Sequence, residues 1–408
     1  MQARAAQAGI AAHGAQALPL RIAALCALTQ IFDGYDNHAI GLAAPAIARA
    51  WSLTPAALSN TFVLSGLGIL IGSIIAGPLG DRLGRKPLII AGLALAGTAS
   101  LASAWAGSLA MLALARLVTG FGIGATLPTT VALLSDCAPQ KSRANIVMFM
   151  YAGNTLGGFL GGQVAGLLLP HWGWPSLFVV GGLGPLALIP VLIALLPGAS
   201  RLPGDAPVAA TGAWHPITRE LAGRTFRLWT IFFANMLSMA LLTYWLPSIL
   251  NLMGLAPSQS AFAASAASAG GLAATLPLAW FSSRYGSAVT LAVSLAAGGI
   301  FIALISLAGL SGPLLLAAIF GAGGCTFGCQ LAANGVAATA YPARIRATGV
   351  GWALGIGRIG AFAGPALAGI LTAMDWSPRI AILAGSIAAL IAAVAATGLR
   401  RATAEESA

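Results

Sequence analysis

Charge is what this sequence has least of. Twenty Lys and Arg and nine Asp and Glu make up 7% of its 408 residues, where a soluble globular domain carries about 25%. So few charges exclude a water-exposed surface of ordinary extent. With 58% hydrophobic residues and a mean hydropathy of +0.90, the chain reads as an all-α membrane protein. Histidine is also scarce: His13, His38, His171 and His215 are scattered, with no paired-histidine metal spacing and no nucleophile beside a base. A membrane-embedded enzyme is therefore disfavoured, and no metal or cofactor is expected. The four cysteines form no metal-ligand framework either. Cys325 and Cys329 stand four apart inside one apolar run and read as small packing residues. The formal net charge of +11 comes from dispersed basic residues, which report topology rather than nucleic-acid binding.

What is present is long apolar runs. A spanning helix needs about 20 largely apolar residues, and twelve such segments can be drawn: 20–47, 57–79, 88–106, 109–134, 144–168, 176–197, 227–251, 258–281, 288–310, 312–338, 347–373 and 378–398. Met1 to Pro19 reads as a polar tail and lacks the pattern of a cleavable signal peptide. With both termini cytoplasmic, sixteen Lys and Arg residues fall on the inner side and two, Arg49 and Arg379, on the outer. That is the positive-inside bias. Arg116 and Arg358 remain, both inside spans.

Two acids also lie inside a span. An ionised carboxylate at mid-bilayer costs roughly 2.5 to 3.5 kcal/mol on insertion scales, so an intramembrane acid is a functional site by default. Asp33 and Asp36 are three apart in segment 1 and share a helix face, with Gly34 between them permitting close approach.

The chain repeats itself. At an offset of 202 to 203, Pro45 falls on Pro247, Leu53 on Leu255, Pro55 on Pro257, Trp174 on Trp376, and Arg82-Leu83-Gly84 on Arg284-Tyr285-Gly286. Gly157, Gly161 and Gly166 meet Gly360, Gly364 and Gly369. A near-constant offset across six spans argues for duplication. The expected organisation is a six-helix half over 1–197, a cytoplasmic linker over 198–226 and a second half over 227–408. The second half keeps Asn235 and Ser238 where the first has Asp33 and Asp36, so this acidic pair, and any chemistry it carries, is confined to the first half.

Gly77-Pro78-Leu79-Gly80-Asp81-Arg82-Leu83-Gly84-Arg85-Lys86 resembles the signature loop of the major facilitator superfamily. Asp81, Arg82, Arg85 and Lys86 are expected to form a charge relay or to cap helix ends at a cytoplasmic gate. The rest of the chain is similar to the aromatic acid:proton symporter family. The resemblance is carried by Asp33-Gly34-Tyr35-Asp36, Arg116-Leu117-Val118-Thr119-Gly120 through Gly124, Tyr244-Trp245-Leu246-Pro247 and Arg346-Ala347-Thr348-Gly349 through Arg358. It implies two pseudo-symmetric six-helix bundles in a bacterial inner membrane, monomeric, importing a hydroxybenzoate-type acid together with protons. It further implies a transport role for the acidic pair. A carrier of a non-aromatic organic acid and a proton-antiport exporter stay open beside it.

Roles within the site follow from depth and charge. At 1.5 Å per residue Asp33 lies roughly 20 Å from the inner surface and Arg116 roughly 10 Å below the outer one, so the two are level in a core of roughly 30 Å. Arg116 then either pairs with Asp33, leaving Asp36 the freer proton carrier, or contacts the substrate directly. Arg358, near the midplane without an assigned acid, is favoured as the anchor for the substrate carboxylate. Gln330 and Asn334, an i, i+4 amide pair that needs an interior or watery face, are the better ring contacts; Tyr244 and Trp245 are further substrate-binding candidates, and for them, as for Phe327 and Trp352, core packing is the competing reading. His38 is a packing residue or a second proton-pathway group. The expected site lies between spans 1, 4, 7 and 11.

Overall fold

A computed structural model describes residues 2–137, 143–197, 221–307, 310–341, 345–374 and 376–405. Within them the chain is helical, with no strand. In lipid every backbone polar group must be satisfied within the segment, which a helix does and an isolated strand cannot. The first half contains α1 (Gln2–Ala50), α2 (Ser59–Leu83), α3 (Arg85–Ala104), α4 (Leu109–Cys137), α5 (Arg143–Trp172) and α6 (Pro175–Leu195). The second contains α7 (Ala222–Ala240), a π-helical turn Leu241–Trp245, α8 (Leu246–Leu252), α9 (Pro257–Tyr285), α10 (Ser287–Leu307), α11 (Gly312–Thr326), α12 (Gln330–Thr339), α13 (Arg346–Ala373) and α14 (Pro378–Glu405). Among the described residues nine helices are long and apolar enough to cross a membrane. The other three apolar segments coincide with α1, α5 and the broken pair α11–α12.

Three boundaries differ from expectation. Helix α1 begins at Gln2, so the polar stretch before the first apolar segment continues its helix rather than forming a separate tail. Helix α7 begins at Ala222, five residues inside the segment read as linker, because Arg224 and Arg227 reach carbonyl oxygens of Ala340 and Gly398 and tie its first turn down. Span 10 is interrupted between Thr326 and Gln330, which puts Cys325 in the last turn of α11 and Cys329 in the break itself. Residues 198–220, most of the expected linker, lie outside the described residues.

The duplicated sequence packs in duplicate. Helix α1 lies against α5 as α7 lies against α13; α2 meets α4 as α9 meets α11; α3 meets α6 as α10 meets α14. The contacts are made by corresponding glycines. A Cβ on Gly157 would collide with the carbonyl oxygen of Ile31, and one on Gly360 with that of Phe233. Gly68 and Gly270 stand in the same relation to Leu117 and Phe320, as do Gly120 and Gly323 to Ser65 and Ala267. Small residues let helix backbones touch where lipid offers no hydrophobic drive for association. The helix-ending glycines match as well: Gly84 and Gly286 have φ of 89° and 88°, and each donates its N–H four residues back, to Gly80 and Ser282.

Between the halves, α5 packs on α9 and α2 on α13. At the end carrying the Trp51–Leu58 turn the fit is close. Gly162 abuts Ala261 and Ser265, Gly369 abuts Ser59, and the Thr243 carbonyl oxygen lies 2.5 Å from where a Gly41 Cβ would sit. Gln163 Nε2 donates to Ser265 Oγ across the same seam at 2.9 Å. Toward the opposite end, where the Gly84 loop lies, the halves part around a cavity. Large apolar side chains such as Ile74, Leu114, Leu276 and Val394 are 61–74% exposed on the outer faces. Such a surface suits lipid rather than water.

Candidate functional site

The cavity between the halves has a volume of about 280 Å³. Helix α1 supplies Asn37 and His38; α5 supplies Tyr151, Asn154 and Thr155; the π-turn supplies Tyr244; α12 supplies Gln330 and Asn334; α13 supplies Arg358. Among the described residues helix α4 contributes Leu127 alone. The expected frame of spans 1, 4, 7 and 11 thus largely exchanges span 4 for span 5 and adds spans 2, 8 and 10. Proline at 247 cannot donate a backbone N–H, and the chain before it widens into the π-turn. π-Turns recur at functional sites, and this one sets Tyr244 against Asn37, whose Oδ1 accepts the tyrosine hydroxyl at 2.8 Å.

Arg358 is the cation of this cavity. It is half-buried, in electrostatic range of the Tyr151 and Tyr244 hydroxyls. Among the described residues it has no carboxylate within ion-pair distance. Its guanidinium is therefore available to an incoming anion. The amides form a chain: Asn235 Nδ2 donates to Gln330 Oε1 at 2.8 Å, and Gln330 Nε2 donates to Asn334 Oδ1 at 3.3 Å. That orientation leaves the Asn334 amide N–H groups for the cavity. His38 Nδ1 donates to the Gly34 carbonyl at 2.8 Å, and Nε2 has no hydrogen-bond partner among the described residues.

The acidic pair corrects the sequence reading. Arg116 does not pair with Asp33. Its Nη2 lies 2.5 Å from Asp36 Oδ2 and its Nη1 3.3 Å from Asp36 Oδ1, with Ser100 Oγ donating to the same carboxylate at 2.6 Å. One helical turn, about 5 Å, separates the two acids, and depths counted from span ends good to several residues cannot resolve one turn. Asp33 is held by neutral donors instead: Gln30 Nε2 at 3.1 Å and the Thr126 hydroxyl. Among the described residues no cation lies within ion-pair distance of it. Asp36 is thus the tethered acid and Asp33 the freer one, the reverse of expectation.

Two other expected contacts are not in the cavity. Arg116 is fully buried, stacked 5.2 Å over the Phe178 ring, and does not line the cavity. Trp245 is likewise fully buried, edge-on to Phe62 at 6.2 Å. Trp352 packs on Trp229, whereas Phe327 does reach the cavity wall. In the signature loop, Lys86 Nζ donates to the carbonyls of Ile193 and Leu196 at 2.7 Å each, and Arg85 donates to that of Ala132. Lys86 caps the end of α6, where bare carbonyls attract cations, while Arg85 reaches a carbonyl inside α4, five residues before its end. Arg82 is exposed; the Asp81 side chain lies outside the described residues.

Asn37, Tyr151, Asn154, Gln30, Thr126 and Ser100 went unnoticed in the sequence. Gln30 had a signal, standing one turn before Asp33 on its face. The others are polar residues of ordinary kind that only packing brings to the site. The repeat adds a detail: Cys329 occupies the place of Thr126, and its Sγ stands 3.9 Å from Asn235 Oδ1 as Thr126 stands against Asp33. The second half keeps the geometry and has an amide in place of the carboxylate.

A family model for the Major Facilitator Superfamily matches residues 26–330 and 228–408. The chain belongs to the major facilitator superfamily. It is 33% identical to a gallate transporter of Pseudomonas putida over 86% of this chain and 85% of that one. It is 32% identical to the 4-hydroxybenzoate transporter PcaK of the same organism, over 92% and 91%. With the 3-(3-hydroxy-phenyl)propionate transporter of Escherichia coli K12 it shares 35% identity over 90% and 91%. Among solved structures, a D-xylose-proton symporter superposes with a TM-score of 0.76 at 15% identity, covering 92% of this chain and 97% of the other. A bacterial homolog of the human lysosomal transporter Spinster gives 0.74 at 18% identity, over 94% and 97%; both likenesses show the fold alone. The protein is a multi-pass membrane transporter and not an enzyme.

Proposed function

We propose that this protein imports a single-ring aromatic carboxylate together with protons across the bacterial inner membrane. The observation that carries the reading is Arg358: a half-buried guanidinium in a small cavity, with tyrosines in range and, among the described residues, no acid to neutralise it. An arginine in that setting binds a carboxylate bidentately, and about 280 Å³ is near the lower end of ligand cavities. The gallate, 4-hydroxybenzoate and hydroxyphenylpropionate transporters among its relatives support the substrate class.

Asp33 is the proton carrier of this scheme. Its hydrogen-bond partners are neutral, while Asp36 is engaged in the ion pair with Arg116. Residues 1–197 and 227–408 rock about the cavity as rigid halves of one monomer, joined by the 198–226 linker. Both termini and the charged loop of Asp81, Arg82, Arg85 and Lys86 are cytoplasmic, the loop serving as inner gate. In that orientation the closed seam faces outward and the cavity opens inward. Gln330 and Asn334 contact ring substituents, with Tyr244 across from them. Uptake of labelled 4-hydroxybenzoate into cells tests the proposal, with and without a protonophore. Saturable uptake that stops with the protonophore is expected; uptake indifferent to it would sink the symport claim. Arg358→Gln should raise the half-saturating concentration at least tenfold, the weight of one hydrogen bond to a charged group.

A further inference from the structure

A second, larger cavity of about 690 Å³ opens at the end of the bundle where the halves are closed. One wall is α5, with Gln163 and Leu167; the others are Phe262 of α9, Leu315 and Leu316 of α11, and Arg379 at the start of α14. It shares no lining residue with the central cavity. Between the two lies the seam formed by the Gln163–Ser265 hydrogen bond and the Gly162 contact.

We propose that this outer cavity is a binding site for an amphipathic monocarboxylate with an apolar body larger than one ring, and that its occupant holds the seam shut. Three observations carry it. Eight of the cavity's fifteen lining residues carry apolar side chains, five of them leucine, which favour an apolar body. Arg379 is the cation among the lining residues and has no ion-pair partner among the described residues, which calls for one negative charge. The volume is more than twice that of the central cavity, too roomy for one ring to fill. The walls come from both halves, so parting α5 from α9 dismantles the site. A ligand that binds one conformation and not another shifts the population toward the first. The binding claim is independent of the transported substrate; its consequence for transport, slower reopening of the outer side, rests on the alternating-access reading above.

Purified protein in phosphatidylcholine nanodiscs, titrated with decanoate and followed by its thermal midpoint, tests this. Decanoate should raise the midpoint saturably, and decanol, of equal chain length and no charge, should not. Arg379→Gln should shift the half-saturating concentration at least tenfold. Arg379→Lys should retain most of the response, and Arg358→Gln all of it. Equal stabilisation by decanol, or an undiminished response in Arg379→Gln, overturns the site. Loss in Arg358→Gln would place the ligand in the central cavity instead. Stabilisation by phosphatidylglycerol that depends on Arg379 and leaves nothing for decanoate to add would make it a lipid site. For the seam, Gln163→Cys with Ser265→Cys should crosslink several-fold faster with decanoate bound; an unchanged rate refutes the claim that the ligand holds the halves together.

Discussion

Neutralising Asp36 should damage the protein far more than neutralising Asp33. The Asp36 carboxylate receives two hydrogen bonds from Arg116 and one from Ser100, and the two charged side chains are 3% and 1% exposed. Salt and water cannot screen a pair so enclosed. Asp36→Asn leaves the Arg116 guanidinium buried and charged, with Nε already lacking a partner among the described residues. Breaking a buried pair from one side costs about 3–5 kcal/mol, against about 0–1 kcal/mol for an exposed pair. Arg116→Gln should cost a similar amount. The double variant Asp36→Asn/Arg116→Gln removes both charges and should recover much of the loss, giving a coupling near the top of the roughly 0.5–3 kcal/mol range for residues in contact. Equilibrium unfolding in mixed micelles of rising dodecyl sulfate measures it, read by a thiol-reactive dye, because Cys26 and Cys329 are 1% and 0% exposed in the fold and label on unfolding. A coupling near zero, or a larger one for Asp33 with Arg116, would refute the pairing.

Asp33→Asn should abolish uphill accumulation of the labelled acid yet preserve exchange of internal for external substrate in proteoliposomes; unimpaired accumulation would remove Asp33 from proton coupling. Tyr244→Phe deletes a hydrogen bond that ties the halves together, worth about 0.5–1.5 kcal/mol. It should raise labelling of a cysteine introduced on the outer side of the seam by roughly two- to tenfold, and an unchanged rate would count against that tie. Gly157→Ala and Gly360→Ala should each destabilise by about 1–3 kcal/mol or more through overpacking. Gly77→Ala, with no atom within 4 Å of the added methyl, should be neutral or slightly stabilising; equal midpoints for all three would contradict the close helix contacts.

Much of this protein is determined locally. The scarcity of charge and the length of the apolar runs settle that it lives in lipid, because an unpaired backbone group there has no water to turn to. The 202-residue repeat settles that whatever packs in one half packs in the other, down to Gly84 and Gly286 at matching φ. Intramembrane charge is conspicuous for the same energetic reason, so Asp33, Asp36, Arg116 and Arg358 could be picked out without coordinates. Which of them meet is another matter. Arg116 reaches Asp36 rather than Asp33 because of how α4 slides and rotates against α1, and one turn of slide reverses the tethered and the free acid. The cavity walls are decided the same way: Tyr151 and Asn154 are unremarkable in α5, and they face Arg358 because glycines let α5 press onto α1 and α9. Composition and periodicity fix what each helix can bury, while the meeting of two polar atoms depends on rotations and shifts of a few ångströms between helices far apart in the chain.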